Sequence, residues 1–252
     1  MILELDIGNS LIKWRQIHEQ DRRVLNAGVV TDVSALQDAL NGDAMPVMIR
    51  LCSVRNTRAV ELLRDWAAES WGLAISSATV TKTCGGVSNH YANPSKLGVD
   101  RWMAMLAAFR RADGACVIVD CGTALTIDVV DAKGSHLGGY ILPGLGMMRA
   151  SLEANTNIEL LERPAQQTTR QSLSLGHSTD EAVCNGTLAA GVALIEHVIN
   201  AELVGVEKLS LYFTGGDADA VAASVTTHSG EVIPGLVLDG LAVACPYPVE
   251  RP

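Results

Sequence analysis

Residues 117–128, Val-Ile-Val-Asp-Cys-Gly-Thr-Ala-Leu-Thr-Ile-Asp, constrain the fold of this 252-residue chain more than any other stretch. Val117, Ile118 and Val119 form a β-branched run that reads as a buried strand. Asp120-Cys121-Gly122-Thr123 is a tight turn, and Leu125-Thr126-Ile127-Asp128 alternates apolar and polar as a returning strand does. Such a hairpin gathers backbone N–H groups, a hydroxyl and a carboxylate around one small volume. Turn amides form an anion-binding concavity, and Gly122 lets a ligand approach the backbone closely. The same layout occurs near the N-terminus, in Ile2-Leu3-Glu4-Leu5-Asp6-Ile7-Gly8-Asn9-Ser10-Leu11-Ile12-Lys13-Trp14. There Asp6, Gly8 and Asn9 match Asp120, Gly122 and Thr123. One Asp-x-Gly is a weak signal. Two, each between strand-like runs and each opening about half of the chain, predict two related lobes that each offer a phosphate-binding hairpin to a shared cleft.

Composition narrows the partners. With 48% hydrophobic and 19% charged residues the chain reads as globular rather than disordered. A net charge of −9 argues against a nucleic-acid binder, whose footprint is a basic patch. It also means that phosphates must be held by local donors and metal rather than by global charge. The six cysteines (52, 84, 116, 121, 184 and 245) are scattered without a zinc-type Cys-x-x-Cys pair, as expected of buried reduced thiols in a cytoplasmic protein. Neither a signal peptide nor a transmembrane span is expected.

Along the chain, the first hairpin and residues 24–30 predict a β-meander, followed by a helix over 32–40, a strand over 47–52 and a helix over 58–70 capped by Thr57. Val60, Leu63, Trp66 and Ala67 form the apolar stripe of that helix. Residues 73–82 look extended, and 83–97 form a long loop of the kind that often carries function. A helix from Asp100 to Ala112 places Trp102, Met105, Leu106 and Phe109 on one face. The break at Asp113-Gly114 divides the chain into lobes of 1–114 and 115–252. In the second, residues 158–175 are polar and irregular, a candidate mobile surface segment. A capping box at Ser178 and Glu181 opens a long helix with small residues (Gly186, Ala189, Ala190, Gly191, Ala193), against which something packs closely. A strand over 209–213 ends in Thr214-Gly215-Gly216-Asp217, and residues 236–243 form an apolar terminal helix.

With these motifs in view the chain resembles the type III pantothenate kinases, of the acetate and sugar kinase, Hsp70 and actin superfamily. The likeness rests on Asp6-x-Gly8-Asn9-Ser10, Gly98-Val99-Asp100-Arg101, Asp120-Cys121-Gly122-Thr123-Ala124-x-Thr126-x-Asp128, Gly138-Gly139-x-Ile141-x-Pro143-Gly144 and Thr214-Gly215-Gly216, in this order over nearly the whole chain. It implies an α/β fold of two tandem ribonuclease H-like (actin-like ATPase) lobes, mixed sheets with flanking helices. It also implies the reaction of ATP with pantothenate to give ADP and 4′-phosphopantothenate, the first step towards coenzyme A. Asp6 is then the Mg²⁺ carboxylate, and Asp6, Ile7, Gly8, Asn9, Ser10, Leu11, Ile12 and Lys13 line the ATP phosphates, though Lys13 could equally be a solvated strand residue. Asp120 becomes the ligand of a monovalent cation (K⁺ or NH₄⁺), or else merely caps its own turn. Thr123 bonds ATP, and Gly215 and Gly216 admit adenosine or form a plain strand-to-helix turn.

Asp100 is the implied general base, against the simpler reading of an N-terminal helix charge. Arg101 suits the pantothenate carboxylate. Tyr91, Gly98 and Val99 line the pantothenate pocket. Thr179 completes it from the neighbouring subunit of a homodimer, or only assists Ser178 in helix capping. Two other classes share the paired hairpins: another superfamily phosphotransferase or phosphatase, such as a sugar kinase or exopolyphosphatase, and a non-catalytic actin-like ATP-binding protein. The tetrapeptide from Gly98 to Arg101 and the short chain favour the pantothenate kinase. No P-loop or dinucleotide fingerprint is present.

Overall fold

Apolar alternation in the first thirty residues builds an antiparallel meander, β1 (Ile2–Ile7), β2 (Ile12–Ile17) and β3 (Val24–Val30). The computed structural model describes residues 1–54, 58–160, 172–203 and 205–247. On the other side of β1, β4 (Met48–Ser53) and β5 (Ile75–Ser77) add in parallel, giving the order β3-β2-β1-β4-β5. Parallel neighbours need crossovers, supplied by α1 (Val33–Ala39) and α2 (Arg58–Trp71). Asp32 caps α1 by accepting from the Ala35 amide at 2.9 Å. Thr57, expected to cap α2, lies outside the described residues.

Period two splits this sheet into unlike faces. Leu3, Leu5, Ile7, Ile12, Trp14, Ile49 and Leu51 face α1 and α2, meeting Leu36, Val60, Leu63 and Ala67 in one core. The opposite face carries Glu4, Asp6, Lys13, Arg15, Arg50 and Cys52. There Glu4, fully buried, sits in register between Arg15 and Arg50 and accepts from both, at 2.6 and 2.7 Å. Two helices pack against that side of the unit, α3 (Val99–Arg111) and α7 (Leu236–Ala244). Asp239 on α7 takes Arg15 at 2.7 Å and also pairs with Arg111. A Cβ on Gly240 would lie 2.1 Å from the Met103 carbonyl, so the two helices touch backbone to backbone. Being covered on several sides, α3 buries Trp102, Met103, Ala104, Met105, Leu106, Ala107 and Ala108, far more than the single apolar face expected of it.

Residues 73–82 hold only the short β5, and the long loop after them is partly structured. It folds β6 (Thr83–Cys84) onto β7 (Val87–Ser88) around Gly85-Gly86 and adds a 3₁₀ turn over Pro94–Lys96.

The second sheet repeats the plan of the first. Strands β8 (Ala115–Cys121), β9 (Ala124–Val130) and β10 (His136–Pro143) are antiparallel, while β11 (Leu209–Thr214) and β12 (Glu231–Val232) add in parallel, in the order β10-β9-β8-β11-β12. Helices α4 (Leu145–Asn155), α5 (Thr179–His197) and α6 (Ala218–Ala222) flank it. A π-helical turn, Val198–Glu202, prolongs α5. The segment Thr179–Ala201 is long and apolar enough to cross a membrane. Half of its apolar window is nevertheless buried in this unit, where Leu188, Val192, Ile195 and Ile199 join Leu125, Ile127 and Phe213 in the core. Close packing falls at Gly191, whose Cβ would meet Leu125 at 3.1 Å, whereas Gly186 faces open space. The centre of the expected mobile segment, residues 161–171, lies outside the described residues.

Contacts divide the chain into one unit of Met1–Arg111 with Gly235–Pro252 and another of Ala112–Pro234. The tail, expected in a second lobe of 115–252, therefore belongs with the first unit. Its composition announces burial, but Asp239 and Gly240 find their partners, Arg15, Arg111 and Met103, in the N-terminal half. All six cysteines are free thiols, five of them buried.

Candidate active site

In the first unit the β1–β2 corner exposes its turn and hides its acid. Residues 8–11 are exposed, closed by the Gly8 amide donating to the Leu11 carbonyl at 3.1 Å, and Asp6 is only 8% exposed. A cavity of about 420 Å³ lies beside the turn, lined by Gly8, Asn9, Ser10 and Leu11 with Asp32 and Ser34. Of the expected phosphate-lining residues, Ile7 and Ile12 send their side chains into the core, on the face opposite Asp6 and Lys13. To the Asp6 face they have only backbone to offer, because strand alternation turns neighbours to opposite sides, and both also line the cavity beside the turn.

Across the sheet Asp6 has Lys13 on one neighbouring strand and Cys52 on the other. The Cys52 thiol donates to the Asp6 carboxylate. Burial first, and then the charges of Asp6 and Asp100, push this thiol well above its ordinary range, so it stays protonated. The two acids for which distinct roles were expected thus both act on the Cys52 thiol through their charge.

Asp100 sits in the first turn of α3, where its carboxylate accepts from the Arg101 amide at 2.8 Å. Both readings of this acid, helix-end charge and reacting group, fit that position. Gly98 keeps room for it, since a Cβ there would lie 2.5 Å from Asp100 Oδ1. Val99 is buried. Arg101 donates from its guanidinium to the Tyr91 hydroxyl at 2.8 Å, and the guanidinium lies 5.7 Å from the ring centroid. The buried Asn89 holds the loop in shape. Its side chain accepts from the Tyr91 amide at 3.0 Å and donates to the Pro94 carbonyl at 3.3 Å, and Lys82 donates to its carbonyl at 2.8 Å. Sequence reasoning passed over Asn89 as one loop residue among several; its place between Gly86 and Tyr91 in a loop of fixed shape was the available signal.

In the second unit Asp120, Thr123 and Gly215 come together. Gly215 has φ +97, and a Cβ there would lie 2.5 Å from the Cys121 carbonyl and 2.7 Å from Asp120 Oδ1. Only glycine satisfies both conditions. The Asp217 amide donates to the Cys121 carbonyl at 3.0 Å, and the Gly144 amide to the Thr123 carbonyl at 2.9 Å, so three segments close around one turn. Thr123 and Gly216 are exposed, with open space about Gly216. Burial pushes the Asp217 carboxyl above its ordinary range, opposed by the charge of Arg149. Thr179 stands apart from this corner. It begins α5, next to the Ser178 hydroxyl that accepts from the Glu181 amide at 3.2 Å, and lines an apolar groove of about 640 Å³ with Met148, Leu152, Val183 and Gly186.

Comparisons with solved structures place the fold in a known class. A protein described as a conserved putative Baf family transcriptional activator from Campylobacter jejuni superposes with a TM-score of 0.58 at 22% identity, covering 95% of this chain and 94% of that one. A putative 2-dehydro-3-deoxygalactonokinase from Sinorhizobium meliloti superposes with a TM-score of 0.55 at 13% identity, covering 96% and 97%. Two α/β units with mixed sheets and flanking helices, as in these proteins, define the class. The family model for type III pantothenate kinase matches residues 2–201. A protein named type III pantothenate kinase from Azotobacter vinelandii is 40% identical over 254 residues, covering 98% of this chain and 100% of that protein. The chain belongs to the type III pantothenate kinase family.

Proposed function

We propose that this protein transfers the γ-phosphoryl group of ATP to the 4′-hydroxyl of pantothenate, giving ADP and 4′-phosphopantothenate, and that it does so in the cytoplasm as a homodimer. The observation that carries the reading is that, in a unit whose family is known, a buried hairpin carboxylate and an acid at a helix start lie near one buried thiol, which both charges push above its ordinary range. Beside that acid lies an arginine already held by a loop tyrosine.

Phosphoryl transfer of this kind passes through a loose transition state, so positioning and charge stabilisation do most of the catalysis. Asp6 and the exposed turn over residues 8–11 orient the triphosphate, with Lys13 adding positive charge. Asp100 takes the proton of the pantothenate hydroxyl late in the transfer, and Arg101, aligned by Tyr91, holds the pantothenate carboxylate beside Gly98 and Val99. In the second unit Thr123, Gly215 and Gly216 bind the nucleotide.

Among the described residues no group of three or more metal-ligating side chains occurs. That fits Mg²⁺, which takes few carboxylates, keeps several waters and shares itself with phosphates. Asp6 would hold it, and Asp120 offers a hard oxygen to a monovalent cation. When bound, Mg²⁺ neutralises charge on the phosphates. Thr179 completes the pantothenate pocket of a second copy.

A coupled assay for ADP release tests the whole reading. Release that depends on pantothenate is expected. ATP turnover indifferent to pantothenate, or an absence of turnover with tight ATP binding, would replace it with a different phosphotransferase or a non-catalytic ATP binder.

A further inference from the structure

We propose that Asn89 is a positioning residue for pantothenate binding, its buried side chain closing the loop over residues 89–94 so that Tyr91 is held against Arg101 before substrate arrives. The inference rests on Tyr91 and Arg101 lining the pantothenate pocket.

Val87 and Leu97 anchor the loop in apolar surroundings, and of residues 88–96 between them only Asn89 is buried. An anchor needs no more than apolar bulk, and a buried amide is costly unless its groups are bonded. At Asn89 they all are. Its backbone N–H donates to the Lys82 carbonyl at 2.9 Å, and its own carbonyl accepts from the Lys82 ammonium at 2.8 Å. These two bonds tie it to the residues leading into the β6–β7 hairpin. The side chain reaches the other way. Oδ1 accepts from the Tyr91 amide at 3.0 Å, and Nδ2 donates to the Pro94 carbonyl at 3.3 Å. One residue thus closes a short ring of backbone, and Tyr91 lies on that ring. The bond to the Tyr91 amide is a side-chain turn spanning two residues. It fixes the peptide plane before Tyr91, and so the direction in which the phenol ring leaves the chain. Along that direction the hydroxyl meets Arg101 at 2.8 Å. The start of the loop rests on the same helix, since a Cβ on Gly86 would lie 3.1 Å from the Phe109 ring of α3. A loop already in shape loses little entropy when a ligand binds, and the difference appears as affinity.

Steady-state kinetics on the full chain test this, with KM measured separately for pantothenate and for ATP and with thermal unfolding alongside. Asn89→Ala loses both side-chain bonds. It should raise KM for pantothenate about three- to ten-fold, the scale of one net hydrogen bond, with kcat and KM for ATP within about two-fold. Asn89→Ser also loses the bond to Pro94 but keeps an acceptor for the Tyr91 amide, and should return KM for pantothenate to within about two-fold of wild type. Should Asn89→Ala fail to fold, Asn89→Val and Asn89→Thr make the same comparison, filling the space and differing only in the hydroxyl. Added to Arg101→Leu, Asn89→Ala should cost less than about two-fold further, because it acts through that arginine. The proposal falls if variants with and without the hydroxyl behave alike, if kcat and both KM values worsen together, or if the full loss recurs beside Arg101→Leu. Any of these would mean that Asn89 only shapes the loop. A raised KM for pantothenate in Arg101→Leu with no change in the Asn89 variants overturns the proposal and leaves the role of Arg101 standing. An unchanged KM in Arg101→Leu removes that role, and the proposal with it.

Discussion

The two units repeat a topology but not its electrostatics. Each has three antiparallel strands and two parallel ones in the same order, and each puts an aspartate just before a glycine-containing corner. In the first, the acid's face of the sheet is an ion network of Glu4, Arg15, Arg50 and Asp239. In the second, the residue matching Glu4 is the buried Ile118, and a buried polar pair on β9 and β10 is His136 with Asp128, 2.9 Å apart. Their turns differ as well. Residues 8–11 stand exposed beside a cavity, while the 122–124 turn is hemmed in by Gly144, Gly215 and Asp217. A duplicated frame has kept its strand order while one half took on charge and the other confinement. Substitutions should therefore harm the two halves by different routes.

The sharpest contrast is catalytic. Asp100→Asn in the first unit should lower kcat at least about a hundred-fold, the lower end of general-base contributions, with circular dichroism and nucleotide affinity unchanged. Near wild-type turnover would leave Asp100 as a helix-end charge. Next in size is stability. Glu4→Gln strips the carboxylate from the buried Arg50 and the half-buried Arg15 and should cost about 3–5 kcal/mol in denaturant unfolding, because the buried charge of Arg50 is left uncompensated. Asp128→Asn in the second unit should cost less, about 1–3 kcal/mol, since it weakens one buried hydrogen bond. Equal losses would erase the distinction between the units.

Gly215→Ala should cost about 1–3 kcal/mol through its left-handed backbone and should also raise KM for ATP, whereas Gly216→Ala should leave stability unchanged. The smallest effect concerns pH. Asp217 binds its proton more tightly when folded, so the folded state holds more protons than the unfolded one from the ordinary carboxylate range up to the raised value. Its contribution to stability falls as pH rises through that window and is constant above it. Asp217→Asn should remove this decline, visible as a difference between variant and wild-type stability across the acid range.

Much of this was legible before any coordinates. The meander, the acid-glycine corners and the Ser178 cap follow from patterns a few residues long. What escaped depends on partners remote in sequence. Arg15 meets Asp239 across 224 positions. Cys52 acquires meaning only from the parallel register of β4 on β1, which no single strand encodes. Residues 73–82 look extended in sequence, yet only Ile75–Ser77 finds a pairing edge. The terminal helix announced that it would be buried and was silent about which core would bury it.

That last helix has a consequence for synthesis. A unit assembled from residues on both sides of the other leaves the ribosome with its polar sheet face bare, Arg15 and Arg111 still waiting for Asp239. Residues 112–234 emerge as one uninterrupted stretch and can close first. Vectorial folding ordinarily favours the N-terminal part of a protein; here the half translated earlier is the half completed last.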